Sequence, residues 1–122
     1  MNDKTVKVGI MSREQYKQRT IAIAKGLYKP EKDEPKIWFE SLKSMAQILS
    51  SENQELLRII LQKNPQSLKE LEELTGRAKS NLSRTLKTLQ RYGIVELHKH
   101  NNALVPEVKV TRFQVEFGLD AA

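Results

Sequence analysis

The chain contains no cysteine, which excludes disulfides and thiolate metal sites. It has five glycines in 122 residues. They are scattered, so no glycine-rich loop of the kind that cradles phosphate is present. No apolar run approaches the length needed to span a bilayer. The first residues, MNDKTVKVGIM, lack the apolar stretch of a signal peptide, and a cytoplasmic protein is expected. No paired carboxylates adjoin a nucleophile, and both histidines fall in one short segment, so an enzyme is not expected and no cofactor is called for. Acidic side chains are missing altogether between Arg77 and Gly93.

What is present is concentrated around that gap. At 39% hydrophobic and 30% charged residues, the composition is that of an ordinary globular domain. From Arg77 to Arg112 there are eight basic residues (Arg77, Lys79, Arg84, Lys87, Arg91, Lys99, Lys109 and Arg112) against two acids, Glu96 and Glu107. That excess equals the net charge of the entire chain, +6. The remainder is balanced. Positive charge gathered in one segment is the electrostatic footprint of phosphate binding.

Local patterns set the expected elements. Val6, Val8 and Ile10 alternate as a short strand. Ser12 and Gln15 form a capping box that opens a helix running to about Gly26. Lys29–Lys36 reads as a charged, proline-bearing linker. A helix is expected over Ile37–Leu49 on the stripe Trp38, Leu42, Met45, Leu49, and another over Glu52–Gln62. Asn64-Pro65 stops the latter. Ser67 caps a helix that Gly76 ends. The next helix, about Lys79 to Tyr92, carries Leu82, Leu86 and Leu89 on one face and Ser80, Arg84, Lys87 and Arg91 on another. Two strands follow, Ile94–His100 and Glu107–Phe117, joined through Asn101-Asn102. The phase of the second shifts, so a bulge or break is expected near Arg112. These elements predict a mainly α fold with a small β wing: a winged helix-turn-helix at 37–122 with an N-terminal extension at 1–36.

Ser67–Lys99 resembles the winged helix-turn-helix of the MarR-like superfamily. The residues that carry the likeness are Leu71, Gly76, Ser83, Arg84, Leu86, Leu89, Gly93 and the pair Ile94-Val95. One position departs from it: the residue capping the second helix, often serine there, is Ala78. Lys36–Leu61, with Phe39, Ser41, Leu42, Leu49 and Asn53, is similar to a family of small bacterial and archaeal DNA-binding proteins, as is Ile23-Ala24-Lys25-Gly26. These are often encoded beside TumE-type toxins. That resemblance implies the antitoxin and autorepressor of a type II toxin–antitoxin module. A solitary MarR-like transcriptional regulator and a winged-helix protein-interaction module are the alternatives.

A leucine-backed helix with a basic, hydroxyl- and amide-bearing front fits a DNA major groove. Ser80, Asn81, Ser83 and Arg84 are the base-edge candidates. Lys79, Lys87, Arg91 and Lys99 are the phosphate candidates. The expected partner is double-stranded operator DNA, bound by a homodimer, because one helix reads too few base pairs for selective repression. Trp38-Phe39 is either core or dimer contact. His98 and His100 lack an evident third ligand, so no metal is expected. A toxin is expected to dock on Thr5–Lys36, including a strand edge at Thr5–Met11, and a chain starting at Pro35 is expected to fold without it. The Ala121-Ala122 end reads as frayed, or as a degradation tail.

Overall fold

The alternation of Val6, Val8 and Ile10 does make a strand, β1 (Thr5–Ile10), but not an outlying one. In the computed structural model, which describes residues 4–119, β1 is the middle strand of a three-stranded parallel sheet. The Ala121-Ala122 end lies outside the described residues. On one side β1 pairs with β2 (Ile37–Phe39), with Val8 opposite Ile37 and Ile10 opposite Phe39. On the other it pairs with β5 (Arg112–Glu116), in register from Thr5–Arg112 to Gly9–Glu116. Between them the chain forms α1 (Arg13–Ala24), α2 (Leu42–Ile48), α3 (Ser51–Lys63), α4 (Leu68–Thr75), α5 (Lys79–Arg91) and an antiparallel hairpin, β3 (Val95–His100) with β4 (Ala103–Val108).

The expected class, mainly α with a β wing, is therefore corrected. Among the described residues there are five helices and five strands, arranged as a parallel sheet plus a hairpin, and the fold is mixed α/β. Two local misreadings caused this. The Ile37–Leu49 segment is not one helix. Ile37 and Phe39 are buried at period two in β2, and the helix begins only after Ser41, whose hydroxyl accepts from the Ser44 N–H. The strand expected at Glu107–Phe117 breaks at Lys109–Thr111, and its two phases belong to different sheets.

The parallel sheet is tightly fitted. A Cβ at Gly9 would lie 2.4 Å from the Trp38 ring, so only glycine lets the indole lie across the strand. The Arg19 guanidinium stands 5.3 Å from the Trp38 ring centroid and pairs with Glu34 at 2.8 Å. Phe39 is fully buried, its ring stacked on Tyr92 with centroids 4.7 Å apart. It is core, not a dimer contact. Val8, Ile37, Phe39 and Val110 share one cluster with Leu56, Leu71, Leu82, Leu86, Leu89 and Ile94. The sheet and α3, α4 and α5 thus bury their apolar faces in each other. With β1 flanked on both sides, the strand edge expected to receive a toxin at Thr5–Met11 is not free.

Candidate nucleic-acid interface

The start of α5 is built without the usual cap. Ala78 occupies the N-cap and makes no side-chain bond. The Glu72 carboxylate of α4 accepts from the Lys79 N–H at 3.0 Å instead. It satisfies one of the orphan donors of the first turn and sets negative charge at the positive end of the helix. Arg77 then anchors the turn. Its guanidinium donates to Asn81 Oδ1 at 2.9 Å, to Thr85 Oγ1 at 3.1 Å and to Asn53 Oδ1 of α3 at 3.3 Å. Sequence reasoning counts Arg77 as a charge and, with Ser80, as a possible compensation for the uncapped Ala78, but not as a side chain that bridges α3 and α5. Its spacing of four and eight from Asn81 and Thr85 on the helix was the available signal. Glu72→Ala is expected to lower stability by about 1 kcal/mol, seen as a fall of a few degrees in melting temperature. Adding Ala78→Ser should return most of it. An unshifted melt would show that the carboxylate caps nothing of consequence.

At the other end, Gly93 takes a positive φ of 78° and turns the chain from α5 into the hairpin. Leu82, Leu86 and Leu89 are fully buried and fix the rotation of α5. The opposite row, Ser80, Arg84, Lys87 and Arg91, is exposed along its whole length, with Lys79 and Asn81 beside it. Ser83 is half-buried on the flank. Asn81 is exposed, but its carbonyl oxygen is held by Arg77. It retains the amide N–H donors, and a bidentate adenine contact would have to share its oxygen with Arg77. Among the described residues, none of Lys79, Arg84, Lys87, Arg91 and Lys99 forms an ion pair.

The two acids of this segment are held elsewhere. Glu96 and Glu107 are directly opposed across the hairpin, an arrangement that repels unless a cation intervenes. Lys109 Nζ lies 3.7 Å from each carboxylate, and His98 Nε2 is 2.8 Å from Glu107. The His98 hydrogen bond, with the Lys109 charge behind it, holds the Glu107 carboxyl below the usual carboxylate range. Glu96, His98 and Glu107 are thereby brought together in a way the sequence did not disclose. Their donors are exposed, and the Lys109 ammonium already stands where a cation would sit. Lys99 lies on the other face of β3 near the hairpin tip, where Asn101 and Asn102, with φ of 50° and 65°, make the two-residue turn.

A model of the family HVO_A0114 matches residues 48–115, from the end of α2 into β5. That segment contains α5 and the hairpin, and it leaves out β1, α1 and β2. No curated protein and no solved structure matches the chain. Among the described residues no helix is long and apolar enough to cross a membrane.

Proposed function

The chain belongs to the HVO_A0114 family; from the geometry of α5 we propose that it is a sequence-selective DNA-binding regulator of transcription, acting in the cytoplasm with α5 in the major groove. The observation that carries this reading is the exposed row Ser80, Arg84, Lys87, Arg91. Its cations have no internal acid partner among the described residues, and its leucine back is locked in the core. A solvated helix face normally mixes both signs and neutralises itself along the helix. This one keeps its charge for an external anion. Arg84, at the centre of the row, is the base-reading candidate. Ser80 and the amide of Asn81 are the secondary ones, and half-buried Ser83 serves from the flank. Lys79, Lys87, Arg91 and Lys99 supply phosphate contacts.

The narrower proposal, an antitoxin that represses its own operon, is supported by the resemblance of Lys36–Leu61 to proteins encoded beside TumE-type toxins. Co-expression with the product of the adjacent gene tests it: growth rescue and co-purification support it, and a non-toxic neighbour removes it.

The DNA reading is tested by selecting an operator from genomic or random fragments and measuring binding by fluorescence anisotropy across a salt series. Affinity is expected to fall steeply with salt, because each phosphate contact releases counterions. Arg84→Ala should cost about 1–3 kcal/mol on the selected site. Lys87→Ala should weaken specific and nonspecific DNA together. Binding that ignores salt, or an Arg84→Ala variant as tight as the parent, would sink the reading.

A further inference from the structure

The three-stranded sheet ends on β5, and among the described residues nothing pairs with the outer edge of that strand. The Arg112 N–H donates inward to Lys4 O, at 3.2 Å. The alternation of a parallel ladder then turns the N–H and C=O of Arg112, Gln114 and Glu116 towards β1, and those of Phe113 and Val115 outward. The strand lacks two devices that usually blunt an edge. It has no proline and no bulge, and on one face Val115 and Phe117 are 44% and 55% exposed. Phe113 and Val115 lie over the same shallow groove against Met45, Leu49 and Leu61.

We propose that β5 is a self-association edge, at which a second copy of this chain pairs antiparallel across a two-fold axis at Gln114 and joins the two sheets. The order of residues in Arg112–Glu116, RFQVE, is complementary to its own reverse. Centred on Gln114, the pairing sets Arg112 opposite the second copy's glutamate on the polar face, twice by symmetry. It sets Phe113 opposite Val115 on the apolar face, also twice. The same register opposes the outward N–H and C=O groups of Phe113 and Val115, which is the hydrogen-bonded pair an antiparallel ladder requires. A one-residue slip would place apolar side chains against charged ones and turn the outward groups out of phase. Glu116 already lies 3.3 Å from Lys7 and is 65% exposed, so it has acceptor capacity left for a second cation. Arg112 has no ion pair among the described residues.

The inference stands on the sheet edge alone. A β5 dimer that binds no DNA would leave it intact, and a monomer that binds DNA would overturn it without touching the DNA reading. The test is sedimentation velocity of the full chain over a range of concentration. The parent is expected to dimerise. Val115→Pro removes an outward N–H without touching the ladder to β1, and it should sediment as a monomer with an unchanged circular dichroism spectrum. Arg112→Glu and Glu116→Arg each set like charges across the axis, and each should weaken the dimer about tenfold. The double variant, and an equimolar mixture of the two single variants, should recover it. That recovery remains decisive even where Val115→Pro fails to fold. A parent that stays monomeric at every concentration reached, or a dimer unmoved by all of these changes, would overturn the proposal. The second result would place the contact elsewhere, as on the exposed Tyr16 and Ile21 of α1.

Discussion

A chain beginning at Pro35 is expected not to fold. Composition and motif alone predict the opposite, an extension at 1–36 that docks a toxin and without which the rest of the chain still folds. The deletion removes β1, the strand that both β2 and β5 pair with, and with it fully buried Val8. Ile37, Phe39 and Phe113 lose their shared cover, and the backbone groups of two strands lose their partners. Each large side chain returned to water costs about 1.5–3 kcal/mol, and a domain has only about 5–15 kcal/mol in total. Three or four such losses consume most of that. Thermal melting followed by circular dichroism provides the measurement. The truncated chain should show no cooperative transition. A cooperative melt near that of the parent would mean that α2–α5 and the hairpin stand alone and the sheet is an ornament.

Phe39→Ala should be the most damaging single substitution, at about 3–5 kcal/mol. The ring is fully buried and stacked on Tyr92, the residue that caps α5. Its loss opens a cavity where β2, the end of α5 and the core meet. Urea unfolding should show a lower midpoint with an unchanged slope. Trp38→Ala, next door but only half-buried, should cost clearly less. Equal losses would mean that the two aromatics were assigned the wrong way round.

The parts of the fold legible beforehand are those with local signals. Ser67, Gly76 and Gly93 marked the ends of α4 and α5 because caps and positive φ angles have their own residue preferences. The leucine row of α5 announced its buried face. Asn101-Asn102 announced the hairpin. The parallel sheet had no such signal. Lys4 and Thr111 hydrogen-bond across 107 positions, and nothing near either residue indicates the other. β2 was hidden for a different reason. Trp38, Leu42, Met45 and Leu49 fit a helical stripe, and three residues are too short a run to show period two. In the candidate interface, the exposed row was readable from spacing. The role of Glu72 was not, because its partner is a backbone N–H seven residues away on another helix. The Glu96–Glu107 opposition also needed the register of the hairpin, which fixes who faces whom.

The pairing of the first strand with the last has a consequence in time. During synthesis β1 emerges early and stays without its β5 partner until more than a hundred further residues have been made. At about 5–20 residues per second that wait is on the order of 5–20 s. The contacts among α3, α4, α5 and the hairpin are close in sequence and need no such delay. Closing the long loop costs little at equilibrium, since each doubling of length adds only about 0.6 kcal/mol. Its effect is on order and rate. The segment that carries α5 can begin to collapse on contacts of its own, whereas the sheet must wait for β5. For that interval Val8, Ile37 and Phe39 are available to chaperones, or to another nascent copy.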